Sequence, residues 1–364
     1  VRSWEALERI AWSLKRNEFG IISADYPLFF GGREAFHLAL LAPNRFAARI
    51  IEMHVLLKKL PRKVALLLLF FLPLEKKINI ERWLRGREEV YFLNRADCVV
   101  VSFGKSGRTW LRVMLSRFYQ IKHGLSKHSL MGFDNLHRKA SEIPIIFFTH
   151  DNYIKDYTKH TNSKVDFYDK KVVLLVRDPR DTAVSQFFQW KYRMSSWKKV
   201  LNRYPISDEY DDVFKFVMNP DAGIPKMINF MNLWANEIPK LKNLLVIRYE
   251  DLRANTEDVL KRIVQFMGTP GSEAEIQEAI RFSSVENMKK MEQNRVFRLS
   301  GSRMAPGNRK NPNSYKVRRA KVGGYRDYFD DLQVVQIERL VNETLSSEYG
   351  YTSAGKSSQA AHAG

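Results

Sequence analysis

The sequence predicts an α/β protein: a central, mostly parallel sheet flanked by helices and preceded by a helical N-terminal extension. Three observations lead there. From Ala96 onward, short β-rich apolar runs alternate with helical stretches, the pattern of parallel strands joined by helical crossovers. One such transition, from residues 97–103 into 104–118, carries a glycine-containing turn between strand and helix. Two later segments, at Asp178-Pro179 and Asn255-Thr256, begin with helix-start signals.

Residues 1–95 are rich in aromatic, aliphatic and basic side chains and lack that alternation. Within them, 64–74 is nearly all apolar, between Lys58, Lys59, Arg62 and Lys63 on one side and Lys76 and Lys77 on the other. This stretch includes Pro73 and falls short of the roughly 20 residues that a helix needs to span a bilayer. Two readings stay open: an interfacial anchor on an anionic membrane surface, or a core helix of the extension.

The candidate strands are 97–103, 144–149, 171–177 and 243–248. Asp178 caps a helix that Pro179 starts. A second helix, 255–267, sets Val259, Leu260, Ile263, Val264 and Met267 on one face and stops at Gly268. A helical stretch at 227–241 offers Phe230, Trp234 and Ile238 either to a pocket or to the core. Residues 294–326 are basic and rich in Gly, Asn, Ser and Arg, which reads as a mobile loop of lid type. A last helix follows at 331–347. The expected organisation is therefore an extension over 1–95, one catalytic-size domain over 96–350 and a disordered tail over 351–364.

The chain has 364 residues, 60 Lys and Arg against 40 Asp and Glu, and a formal charge of +20. That balance suits a phosphorylated ligand or an anionic surface. No zinc-finger spacing, RNA-recognition signature or basic zipper accompanies it, so nucleic acid is not an expected partner. Cys98 is the one cysteine; it excludes an intramolecular disulfide and a Cys-based zinc cluster, and beside Val99, Val100 and Val101 it reads as packing in a buried strand. The expected location is the cytoplasm, with a peripheral membrane contact if the 64–74 segment serves as an anchor.

Gly104-Lys105-Ser106-Gly107-Arg108-Thr109-Trp110 joins the first strand to an amphipathic helix. Backbone N–H groups and a helix dipole meet an anion in that geometry, and Lys105, Ser106 and Thr109 add a cation and hydroxyls. This points to a P-loop-type fold. Residues 350–357 also match the pattern G-x-x-x-x-G-K-[ST], but they lie seven residues from the end of the chain with no helix to follow, so the match is set aside.

The Ser102–Trp110 loop resembles the 5'-phosphosulfate loop of the sulfotransferases that use 3'-phosphoadenosine 5'-phosphosulfate. The resemblance implies that Lys105, Ser106, Gly107, Arg108, Thr109 and Trp110 hold the donor, with Gly104 and Arg108 replacing the family's Pro and Thr. Val176–Ser185 is similar to the family's 3'-phosphate motif and assigns Arg177 and Ser185 to that phosphate; taken alone, Arg177 can simply pair with Asp181. Tyr249 and Ser283 fall where the family contacts the purine. Arg318 and Arg319 fall in a segment similar to its C-terminal basic element, with Ala320 and Tyr325 departing from the usual Gly and Trp. The matches span most of 96–330.

By the same resemblance His150 is the general base and Lys105 stabilises the departing phosphate, with Ser106 restraining that lysine. The product is 3',5'-phosphoadenosine, no metal is required, and the acceptor is a hydroxyl or amine of unassigned class. Asp151 is read as a solvated loop acid. Two rivals stay open: a nucleotide-dependent kinase or NTPase on a related fold, and a non-catalytic membrane-surface protein. Neither acceptor class nor oligomeric state follows from the sequence.

Overall fold

The computed structural model describes residues 71–206, 210–297 and 304–355, together with Arg62, Val64, Leu66 and Leu69. Among these residues the centre is a four-stranded sheet, β1 (Cys98–Val101), β2 (Ile146–Thr149), β3 (Lys171–Val176) and β4 (Asn243–Arg248), in the order β2-β1-β3-β4. Every pairing is parallel. In register, Val101 lies beside both Thr149 and Leu174. All four residues of β1 and five of six in β3 are buried, as expected for strands covered on both faces.

Alternation along the strands divides the core. Val99, Val101, Val172, Leu174 and Val176 enter one cluster, and Cys98, Val100, Val173 and Leu175 enter the other. Cys98 is 1% exposed and packs as read. Helix α1 (Leu74–Arg95) precedes the sheet; α2 (Arg108–Lys122) follows β1; α3 (Pro179–Tyr192) follows β3; and α4 (Ile224–Glu237) precedes β4. Asp178 caps α3 through the Arg180 N–H, with Pro179 in its first turn. Asn255 likewise caps the helix Thr256–Phe266.

The chain first moves from β1 to one side, then returns across β1 to β3. Ligands of open α/β sheets bind at the carboxyl ends of the strands beside such a reversal. Here those ends carry Ser102–Lys105, His150, Arg177 and Tyr249, so the order of strands gathers the candidate residues before any side chain is considered.

Three features add to or differ from the expected layout. The compact unit begins at Pro73 and so takes in α1 ahead of residue 96, because α1 buries Ile78, Glu81, Arg82, Gly86 and Leu93. At Gly86 a Cβ would lie 2.3 Å from the Tyr153 carbonyl, so the backbone contact itself demands glycine. Residues 351–355 are folded: Tyr351 and Thr352 are 3% exposed, and the Tyr351 hydroxyl donates to Glu250 Oε2 at 2.5 Å. Residues 356–364 lie outside the described residues, as do residues 65, 67, 68 and 70 of the apolar 64–74 segment. No helix among the described residues is long and apolar enough to cross a membrane.

The third difference is the loop expected to be mobile. Over 304–326 it is pinned by two buried acids. Glu292, fully buried, accepts from the backbone N–H groups of Lys316 (2.7 Å) and Val317 (3.0 Å). Asp181 accepts from those of Gly323 (2.8 Å) and Tyr325 (2.9 Å). Residues 298–303 lie outside the described residues.

Candidate active site

The carboxyl ends of the strands open into a cavity of about 1130 Å³, above the roughly 300–1,000 Å³ that one drug-sized ligand fills. One part is built on the turn after β1. Lys105 (φ 73°) and Gly107 (φ 93°) both adopt left-handed backbone, which costs roughly 1–3 kcal/mol at a non-glycine residue and persists where the surroundings impose it. At Gly107 a Cβ would lie 2.5 Å from the Tyr249 ring. Helix α2 starts at that glycine with no side-chain cap and no acid in its first turn. By contrast α3 and Thr256–Phe266 are capped by side chains, so the start of α2 keeps its N–H groups and its positive dipole end for an anion.

Cations converge on this turn. Arg177 donates to the Lys105 carbonyl (3.2 Å) and the Lys321 carbonyl (3.3 Å), sits 4.3 Å over the Tyr249 ring and lies 3.5 Å from Asp181. The Asp181 pairing foreseen for it is therefore real but shared, because Asp181 also holds two loop N–H groups. Arg177 Nε is buried with no hydrogen-bond partner. Lys105 Nζ donates to the Lys316 carbonyl at 3.4 Å. Burial, then the neighbouring Arg193 and Arg177, push its ammonium down to about 7. Lys316 is driven well below its usual range by burial and by Lys105, Arg193, Arg108 and Arg112. Arg318 lies 3.6 Å over the Phe188 ring and donates to the Tyr328 hydroxyl, while exposed Arg319 pairs with Asp327.

The remaining assignments divide. Gly107, Arg108, Thr109, Trp110, Arg177, Ser185, Tyr249, Arg318 and Arg319 line the cavity, as do Lys105 and His150. Ser106 and Ser283 are buried and do not. Ser106 is beneath the turn beside Thr182 and Met227, and Lys105 bonds to Lys316 instead of to it. The Ser283 hydroxyl donates to the Ile280 carbonyl (3.2 Å), and its own carbonyl accepts from Trp110 Nε1 (2.9 Å). Ser283 therefore fixes the ring that lines the site. In α4, Phe230 lines the cavity and Trp234 is in the core.

His150 Nδ1 is 2.7 Å from the Ser102 carbonyl, and Nε2 is 2.6 Å from Arg108 Nη2. The carbonyl only accepts and the guanidinium only donates, so both partners require the neutral ring with its proton on Nδ1. Burial, then Arg108, hold the imidazole well below its ordinary range. Arg108 thus engages the lone pair of the candidate base. Exchanging Arg108 for the family's threonine is expected to raise the His150 pKa, read by NMR titration of the ring; an unchanged pKa would assign the depression to burial alone.

Sequence reading missed three contributors. Lys316 enters from the pinned loop, two residues before Arg318, and proximity to that basic pair was its one signal. Glu89 comes from α1, outside the resemblance. It accepts from Thr149 Oγ1 at 3.1 Å, and burial, then Asp151, push its carboxyl up to about 8. Asp151 is no solvated loop acid: it is 9% exposed and pairs with Lys164 at 2.6 Å, because the positive-φ turn after β2 directs it inward. Among the described residues no three His, Cys, Asp or Glu side chains gather as metal ligands.

The group implied at this site is a phosphoadenosine donor, and the residues fit it. The unpartnered Arg177 Nε, the mutually repelling Lys105 and Lys316, and the glycine cradle at Gly107 all await an anion. The chain matches the sulfotransferase domain over residues 95–348. It is 23% identical over 280 residues to cytosolic sulfotransferase 5 of Arabidopsis thaliana, covering 69% of this chain and 80% of that protein. To sulfotransferase 2A1 of Homo sapiens it is 21% identical, covering 72% and 89%. Among solved structures, mouse sulfotransferase SULT7A1 complexed with PAP aligns with a TM-score of 0.46 at 21% identity, covering 71% and 89%. With the domain matched over most of its length and the phosphate turn, strand-end histidine and Arg177 assembled at one sheet edge, this chain belongs to the sulfotransferase family, whose donor is 3'-phosphoadenosine 5'-phosphosulfate.

Proposed function

We propose that Lys105, the start of α2, Arg177, Ser185 and the Arg318–Arg319 pair hold the donor's phosphates, and that His150 is the base that deprotonates an acceptor hydroxyl. The donor supplies an activated sulfuryl group. The observation that carries the reading is the gathering of Lys316, Arg177 and Arg193 about Lys105, where burial first, then Arg193 and Arg177, depress Lys105, and burial, Lys105 and Arg193 depress Lys316. A polyanion among them relieves the repulsion and raises the pKa of both lysines.

Trp110 and Tyr249 form an edge-to-face pair with centroids 6.0 Å apart and supply the ring surface for the base. Ser283 orients Trp110 from behind. When an anion draws the Arg108 guanidinium toward itself, His150 Nε2 is released to take a proton, while the Ser102 carbonyl keeps the ring in the productive tautomer. Lys105, charged at that point, stabilises negative charge on the phosphate side of the transferring bond.

Thermal shift provides the first test. 3',5'-phosphoadenosine without magnesium is expected to raise the melting temperature; stabilisation by Mg-ATP but not by 3',5'-phosphoadenosine would favour the kinase reading instead. The linked protons give the second. Free Lys105 titrates near 7 and rises when paired, so binding above pH 7 takes up protons and affinity falls as pH increases. Calorimetry at pH 7.5–8.5 in buffers of different ionisation enthalpy measures this directly, and binding with no proton uptake refutes the role given to the lysines.

A further inference from the structure

Beyond the donor half, the cavity continues over Asn152, Lys155, Lys198, Asn202 and Tyr204. This wall joins the phosphate turn through Gln186, whose Nε2 donates to the Tyr204 hydroxyl at 3.0 Å and whose Oε1 is 3.3 Å from where a Gly104 Cβ would lie. It adjoins His150 through Asp151 and Asn152. It therefore lies where an acceptor must approach the base.

The charge of this wall is unbalanced. Asp156 pairs with Arg82 at 2.8 Å, and Asp151 pairs with Lys164 at 2.6 Å. Burial, then Asp151, push the Glu89 carboxyl up to about 8, which weakens its negative charge near neutral pH. Lys155, Lys198 and Arg203 also line the cavity, and none has an ion-pair partner among the described residues. Lys226 donates to the carbonyls of Asn202 (2.8 Å) and Asp221 (2.7 Å) and lies 4.0 Å from the Tyr204 ring centroid. Burial and the cations Arg82, Arg203 and Lys155 bring it down to about 8 against the opposing pull of Asp221. Lys198 is lowered by burial, Arg85 and Arg193, with no acid opposing. Apolar side chains such as Phe103, Met194, Phe230 and Leu233 complete the lining.

We infer that the acceptor is a hydrophilic, hydroxyl-bearing molecule carrying at least one anionic group, held by Lys155, Lys198 and Arg203, with amide and phenol side chains such as Asn152, Asn202 and Tyr204 meeting its hydroxyls. Lys155 is half-buried and Lys198 and Arg203 are exposed, so the excess of positive charge on this side favours an anionic acceptor over a neutral phenol or sterol. The inference rests on the donor assignment above, because the wall is an acceptor wall only if the phosphate turn holds the donor.

Binding separates the two. Protein saturated with 3',5'-phosphoadenosine is titrated calorimetrically with glucuronate, glucose 6-phosphate and glucose 6-sulfate, each against glucose and 4-nitrophenol. At least one anion is expected to bind about ten-fold or more tightly than glucose, and the three arms distinguish carboxylate, phosphate and sulfate. The Lys155→Ala/Lys198→Ala double variant is expected to lose that preference, and the Lys155→Arg/Lys198→Arg variant to retain it, with 3',5'-phosphoadenosine affinity unchanged in both. Glucose or 4-nitrophenol binding as tightly as the best anion, or no anion binding at all to the saturated protein, overturns the inference. Failure of 3',5'-phosphoadenosine to bind overturns the donor reading instead.

Discussion

Replacing His150 with asparagine is expected to lower kcat by about 10²–10⁴-fold, the range for loss of a positioned general base, while 3',5'-phosphoadenosine binding is kept. The asparagine amide can still donate to the Ser102 carbonyl, as His150 Nδ1 does at 2.7 Å, so the strand end is preserved and the basic lone pair is lost. Steady-state kinetics with labelled donor, alongside a calorimetric Kd for 3',5'-phosphoadenosine, separates chemistry from binding. A variant with wild-type kcat would remove His150 from the reaction. The wild-type enzyme should show little loss of rate on acidification from pH 7 toward 6.5, because a ring held well below its ordinary range is still neutral there. The Arg108→Thr variant is expected to lose rate at a higher pH than wild type.

The second large effect is at Lys105. Removing it as Lys105→Ala is expected to reduce kcat by about 10²–10³-fold, as loss of one charge-stabilising donor does in other active sites. The ligand-free protein is expected to gain thermal stability at the same time. The sign follows from its titration: unfolded Lys105 binds a proton up to its ordinary 10.5, whereas folded Lys105 releases it near 7. Below 10.5 the unfolded chain therefore holds more protons, and the lysine opposes folding with its full penalty below 7. Differential scanning calorimetry of ligand-free wild type and variant measures this. A drop in melting temperature would mean that Lys105 supports the turn more than it strains it.

These paired outcomes describe a site that stores repulsion until a ligand arrives. The same logic explains the anchoring of 304–326. Glu292 and Asp181 are both buried and each holds two loop N–H groups. They position Lys316 and Arg318 against the turn while neutralising only part of its charge. A loop whose composition suggests mobility is thus fixed by acids that lie far away in sequence.

The sequence by itself determined the sheet, the phosphate turn and the strand-end residues. Strand and helix periodicity are local, and a glycine turn between an apolar strand and an amphipathic helix is legible in a few residues. Lys105, His150 and Arg177 could be placed at strand ends from local pattern, while the roles expected of them came from the resemblance of their motifs to the sulfotransferases. What tertiary structure decided was the set of partners across the cavity. Arg108 meets His150 across 42 residues, Arg177 meets Lys321 across 144, and Glu89 arrives from α1 with no local signal. Ser106 and Ser283, equally visible in the motifs, were turned away from the cavity, one beneath the turn and one behind Trp110. Local periodicity fixes where a strand ends and which face a helix buries. Burial and electrostatic pairing depend on residues distant in the chain, so the fold alone sets the charge state of His150, the depression of the lysines and the excess of cations along the cavity.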